Sequence, residues 1–193
     1  NIRLSAIPSQ LRKILINNLE FVNPKWIENH RLGRWNRGNP RILRFYDRLR
    51  DGSLWIPRGY MGHLMQLCRQ HGTVYEYIDQ RRTLPPISLN FKGELRPFQK
   101  KAVRHMLRKD FGTLCAPTGS GKTVMALNMI AERRQPALII VHTKDLAQQW
   151  LARTHTFLKI PKSQIGFIGA GKQNVGAEVT IALVQSLYKY ADE

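Results

Sequence analysis

The chain has 193 residues, enough for one ordinary domain or two small ones, each with a modest core. A hydrophobic content of 42% and an aromatic content of 9% are those of a folded globular chain, and no apolar run nears the roughly 18 residues that span a bilayer, which excludes a membrane-spanning helix. Thirty-one Lys plus Arg against 13 Asp plus Glu leave a charge of +18, which disfavours basic partners and attracts polyanions, nucleic acid first among them.

The basic excess is shared, with 15 basic and 6 acidic residues over 1–90 and 16 and 7 over 91–193, so both halves qualify for contact with nucleic acid. Cys68 and Cys115 lie far apart with no CxxC spacing and no secretory pattern precedes them, so a reducing cytoplasm is the expected compartment.

Along the chain, Ile2 to Ile7 alternates as a strand does, and Pro8 opens a helical stretch with Leu11, Ile14, Leu15 and Leu19 on one face. Residues 41–47 and 53–58 flank an Asp51-Gly52 turn and suit a β-hairpin, while Asn39-Pro40 could equally cap a helix with Arg41, Arg44 and Arg48 on one side. A helix from Tyr60 to Arg69, stopped by Gly72, and a β-rich run from Thr73 to Ile78 follow. The prolines Pro85 and Pro86 interrupt regular structure, so the expected organisation is a small mixed α/β domain over 1–83, a linker over 84–90 and a second domain over 91–193. That second domain opens with a helix whose apolar positions are Leu95, Phe98, Ala102, Val103, Met106 and Leu107. Three apolar runs, 111–116, 137–141 and 179–184, alternate with helices, which predicts a parallel sheet covered on both faces.

The sharpest chemical signal is Ala116-Pro117-Thr118-Gly119-Ser120-Gly121-Lys122-Thr123, a phosphate loop between an expected strand and an expected helix. Small residues let backbone N–H groups curl around a phosphate, and the helix start adds its positive dipole end. Lys122 would supply a point charge to the β- and γ-phosphates of ATP, and the Thr123 hydroxyl is sized to ligate Mg²⁺. The binding residues expected here are therefore Pro117, Thr118, Gly119, Ser120, Gly121, Lys122 and Thr123, with the last two catalytic.

Upstream stands Leu95-Arg96-Pro97-Phe98-Gln99, and downstream Val141-His142-Thr143-Lys144-Asp145-Leu146 and Thr180-Ile181-Ala182-Leu183-Val184-Gln185-Ser186-Leu187. In that order around a phosphate loop, these segments resemble the adenine-reading segment, motif Ia and the "TxATxQSL" segment of superfamily-two helicases, in the form shared by XPB-like and UvsW-like enzymes and restriction-enzyme motor subunits. The resemblance implies a RecA-like fold in which Gln99 pairs with the adenine edge and Arg96 packs on the ring. It also implies that Thr143, Lys144 and Gln185 contact a nucleic-acid strand. His142 replaces the usual proline of motif Ia, and Leu183 stands where many relatives have threonine. Trp150 is read as a core residue among Leu146, Ala147 and Leu151.

Seven arginines fall between Arg31 and Arg50 with only Asp47 against them, interleaved with Trp35, Phe45 and Tyr46, a composition suited to gripping phosphate and stacking on bases. The run from Gly33-Arg34-Trp35 to Leu54-Trp55-Ile56-Pro57-Arg58-Gly59 resembles the small N-terminal domain of UvsW-like helicases, related to the damage-recognition domain of XPB-like proteins. That resemblance favours the hairpin over the helix and assigns Arg34, Arg37 and Arg44 to DNA, while Trp26, Trp35 and Trp55 are each expected in the core.

The combined expectation is an α/β chain, a truncated RecA-like sheet behind a basic accessory domain, from an ATP-dependent DNA helicase or translocase of repair or recombination. DNA, single-stranded, branched or duplex, is the expected partner in preference to RNA, and ATP with Mg²⁺ the cofactor. Asp192-Glu193 follows no apolar strand and is not read as the acidic box that positions Mg²⁺ and water, so a second motor domain is expected elsewhere and turnover by this chain alone should be negligible. Two other readings are a nucleotide-gated nucleic-acid-binding module without motor activity and the motor subunit of a restriction endonuclease.

Overall fold

A computed structural model describes residues 1–81 and 83–190. The chain divides into two compact units, Asn1–Asp79 and Gln80–Glu193.

In the first unit, helix α1 (Ser9–Leu19) buries Leu11, Leu15 and Leu19, residues at four-residue spacing that line one face. They pack against Leu54 and Ile56 of strand β5 (Leu54–Ile56) and against Leu64, Leu67 and Cys68 of α3 (Met61–Gln70). β5 is the centre of an antiparallel sheet with β1 (Ile2–Leu4) on one side and β4 (Asp47–Arg48) on the other. A second ladder joins β2 (Glu20–Val22) to β3 (Ile42–Arg44), pairing Phe21 with Leu43. The expected hairpin is thus real only between β4 and β5, because residues 42–44 find their partner in β2 instead, and no helix forms over 41–48. Helix α2 (Pro24–Arg31) begins with Asn23 accepting from the Lys25 N–H at 3.0 Å and Pro24 at the first position, where its missing donor costs nothing.

The β4–β5 turn is held by Asp51, which accepts from the Ser53 hydroxyl (2.6 Å) and Ser53 N–H (3.0 Å) and pairs with Arg3. The Ser53 hydroxyl bond, then its backbone bond and the Arg3 bond, lower the carboxyl from 3.8 to about 2. A folded-state value below the unfolded one means that this stabilisation is complete above the unfolded value and is lost as pH falls through the folded one. Asp51→Ala should therefore lower the urea midpoint of unfolding near neutrality with an unchanged m-value. The gap from wild type should close between pH 3.8 and about 2, and a gap independent of pH would show that the carboxylate is not its source.

Residues 73–78, expected as a β-rich run, join no ladder, and Val74 and Ile78 stand exposed. A strand exists only where its backbone donors and acceptors meet a neighbour, and propensity supplies none.

In the second unit, α4 (Pro97–Leu107) and α5 (Lys122–Arg133) enclose Leu95, Val103 and Met125. Phe98, expected on the apolar face of α4, is half exposed. The sheet runs in the order β6 (Ala137–Val141), β9 (Val179–Leu183), β7 (Gly166–Gly169), β8 (Lys172–Asn174). The first three are parallel and β8 closes the far edge as an antiparallel hairpin with β7. Ile139, Val141, Val179, Ile181 and Leu183 face α5 and α6 (Lys144–Leu158) through Leu127, Ala131, Ala147 and Leu158. Trp150 packs against this core as expected, whereas Leu138 and Ile140, on the other face of β6, are half exposed, so that face is not covered there.

The run 111–116 forms no strand, and Phe111 and Cys115 are exposed, because it pairs with none of the described strands. Residues 84–91 are fastened to this unit. Gln135 exchanges two hydrogen bonds with the backbone of Leu84, Ile87 N–H donates to Arg134 O, and Leu89 and Phe91 pack on the core. At the base of the β7–β8 hairpin two glycines lie back to back, since a Cβ on Gly166 would sit 2.1 Å from Gly176 N and one on Gly176 would sit 2.5 Å from Gly166 N.

Candidate functional site

Geometry sets where the phosphate loop lies. Helix α5, 12 residues or about 18 Å long, is joined by three residues to β6, five residues or about 17 Å. With so short a connection the helix packs antiparallel to the strand, so its first turn stands at the carboxyl end of β6, the edge where α/β sheets take ligands. The loop reaches that point through Gly119 (φ +78°) and Gly121 (φ +82°), both left-handed. At Gly121 a Cβ would also meet Gln99 Nε2 at 2.5 Å, so a side chain there would displace the Gln99 amide.

Lys122, the first residue of α5, turns its ammonium back to donate to Ala116 O (2.7 Å) and Pro117 O (2.9 Å), across the mouth of the loop. Thr123 follows half-buried. The Ser120 hydroxyl is buried with no partner among the described atoms, an orphan polar group within the loop. A free helix start, an ammonium held by exchangeable carbonyl bonds and an unsatisfied hydroxyl fit a phosphate-bearing ligand.

Gln99 is buried, where pattern alone would leave it on an exposed helix face. Its Oε1 accepts from Arg96 N–H at 2.9 Å and its Nε2 donates to Ser120 O at 2.8 Å, tying the start of α4 to the phosphate loop. One lone pair and one amide hydrogen remain for a ligand. Arg96, at the helix start, is exposed beside it.

A second group of residues sits where β6 and β9 end side by side, with Val141 opposite Leu183. Thr143 caps α6 by accepting from Leu146 N–H at 3.3 Å, and Lys144 projects exposed from the first turn. Gln185 Nε2 donates to His142 O at 3.1 Å, which joins the two segments and leaves Thr143, Lys144 and Gln185 together on one exposed rim. His142 thus acts through its carbonyl, a role its side chain could not signal. Leu183 is buried against Gly169, so that position belongs to the core in this chain.

In the first unit Arg34 and Arg37 are exposed on the loop after α2, whereas Arg44 donates to Glu20 at 3.1 Å. The Tyr46 hydroxyl bond (2.7 Å), followed by that from Arg44, holds the Glu20 carboxyl below its ordinary value. Arg44 is therefore already engaged while the other two stand toward solvent. Trp35 is 83% exposed and Trp55 42%, against the expectation of core positions, because Trp55 alternates with the inward Leu54 and Ile56 and Trp35 lies on a loop. Trp26 stacks on His30 at 4.9 Å with the Arg41 guanidinium 5.3 Å from its ring. Asp192-Glu193 lies outside the described residues.

Fold and site together define a phosphate-loop domain of the superfamily-two helicase type, behind a separate α/β unit. The chain belongs to the family described as Type III restriction enzyme, res subunit, which matches residues 92–193. It is 34% identical over 111 residues to a protein of Sulfurisphaera tokodaii named DNA 3'-5' translocase XPB2, covering 58% of this chain and 24% of that one. It is 26% identical over 139 residues to the probable helicase D10 of Escherichia phage T5, covering 72% and 29%. Among solved structures, the UvsW helicase of bacteriophage T4 aligns with a TM-score of 0.61 at 20% identity, over 95% of this chain and 71% of that chain, a likeness of fold. The chain spans 24% and 29% of the lengths of these two curated relatives. No helix among the described residues is long and apolar enough to cross a membrane.

Proposed function

We propose that this chain is the nucleotide-binding and DNA-gripping part of an ATP-driven helicase or translocase of the XPB and UvsW type, acting in DNA repair or recombination-type remodelling in the cytoplasm. The observation that carries the reading is the Gln99 amide, which joins the adenine-reading segment to the phosphate loop through Ser120 O. One side chain then reports on base identity and loop position together.

ATP with Mg²⁺ would supply the free energy of phosphoryl transfer. The residues to hold it are Arg96 and Gln99 at the base, Pro117 to Gly121 and Lys122 at the phosphates, and the Thr123 hydroxyl at the metal. Gln99 would accept from the adenine amino group with its spare lone pair and donate to N7 with its spare hydrogen, leaving its bonds to Arg96 and Ser120 intact. Thr143, Lys144 and Gln185 would hold strand phosphates at the same sheet edge, with Arg34 and Arg37 gripping DNA in the first unit. The family description favours a second reading, the motor subunit of a restriction endonuclease. A nuclease domain in the same gene would mark it.

Adenine selectivity tests the first reading. Guanine presents an oxygen where adenine presents an amino group, so wild type should bind ATP more tightly than GTP by about 5- to 150-fold, the worth of one bidentate pair. Gln99→Leu should weaken both nucleotides through the lost Ser120 bond and bring their ratio near one. Competition titrations measure the ratio, and a wild-type ratio of one would remove Gln99 from base reading.

A further inference from the structure

The loop between α2 and β3 carries no buried side chain among residues 32–40, yet its backbone is tied down from several sides. Asn29, itself buried, donates to Asn36 Oδ1 at 3.1 Å and reaches Trp35 O at 3.5 Å, while Asn36 donates to Trp26 O at 3.3 Å. Asn23, also buried, donates to Pro40 O at 2.9 Å, and Arg34 N–H donates to Asn29 O at 2.8 Å. Burying two amides costs free energy unless they are well bonded, and here their bonds serve to fix a loop instead of a core. What the fixed loop displays is Trp35, 83% exposed, a residue whose burial would ordinarily stabilise a fold more than almost any other.

A large aromatic surface carried in water on a loop whose backbone is already hydrogen-bonded at Arg34 and Pro40 costs less to order when a partner binds. The neighbours select that partner. Arg31, Arg34, Arg37 and Arg41 lie between Glu28 and Asp47 with no acid among them in sequence, a run that repels basic surfaces and draws polyanions. A nucleic-acid strand offers an anionic backbone and bare π-faces together.

We propose that Trp35 is a base-stacking residue, which receives an unpaired nucleobase on its indole while Arg34 and Arg37 hold the flanking phosphates, with Asn29 and Asn36 as positioning residues. This rests on the reading of the first unit as DNA-gripping, and adds to it a contact with bases where the arginines contact only the backbone.

The test compares two labelled strands of about twelve nucleotides, oligothymidylate and an abasic strand with the same phosphates, titrated with the 193-residue chain. Trp35→Ala should lose about tenfold affinity for oligothymidylate and none for the abasic strand, with unchanged salt slope and thermal unfolding, and Trp35→Phe should recover most of the loss. Undiminished binding of oligothymidylate by Trp35→Ala, beside normal binding by wild type, overturns the stacking assignment alone. Equal losses on both strands overturn it in favour of a contact blind to bases. A wild-type chain that binds neither strand overturns it together with the reading beneath it.

Discussion

Lys122→Ala is expected to abolish measurable adenine-nucleotide binding by this chain. In the free protein the ammonium spends its hydrogen bonds on Ala116 O and Pro117 O, which lie at the exposed mouth of the loop and can turn to water when the lysine is gone, so the fold should survive. The phosphates cannot be compensated in the same way. Each charge-assisted hydrogen bond contributes about 1.5–3 kcal/mol, and losing two lowers affinity by at least about a hundredfold. Isothermal titration with Mg·ATP reads the loss directly. Equal affinities in wild type and variant would place the nucleotide elsewhere.

The second large effect concerns salt. Contacts with phosphate release counterions and contacts with bases do not, so replacing arginines that grip the backbone should flatten the dependence of affinity on salt. Arg34 and Arg37 replaced together should reduce the log–log slope on duplex DNA by about two units. Adding Arg44→Ala should change it by less than either of the others, because the Glu20 carboxylate bonded to Arg44 Nε already offsets part of its charge. The composition-based expectation of three equivalent arginines would give close to three units. Binding curves at several salt concentrations separate these outcomes. An unchanged slope would leave Thr143, Lys144 and Gln185 as the remaining strand-contacting candidates.

The parts of the structure legible in the sequence are those decided locally. Leu11, Leu15 and Leu19 announce their helix by spacing, Gly119 and Gly121 their loop by conformational need, and the apolar runs at 137–141 and 179–183 their strands by composition. The errors arise where a distant partner decides. Residues 73–78 and 111–116 have strand-like composition but no ladder to join, and residues 42–44 pair with β2 in preference to the nearer β5. The β7–β8 hairpin escapes notice because its edge strand, Lys172-Gln173-Asn174, is wholly polar. At the candidate site, the motif alone singles out Lys122 and Thr123, whereas the placement of Gln99 depends on its bond to Ser120, 21 positions away. Trp35 misleads for the opposite reason: residue type argues for the interior, whereas the loop that carries it, bonded through Asn29 and Asn36, leaves it exposed.

The paired glycines at 166 and 176 have a consequence for how this sequence can drift. Each excludes a side chain on the other's account, and the obstacle in both cases is main chain, which no rotamer change can move. Elsewhere in a core, a larger residue at one position can be accommodated by a smaller one opposite, and lineages exchange volume across the contact over time. Here neither member has volume to give up, so no second-site change within the pair can rescue the first. The two positions are frozen as one unit, and diversification around the β7–β8 hairpin must proceed through its tip and its polar edge strand, leaving the base untouched.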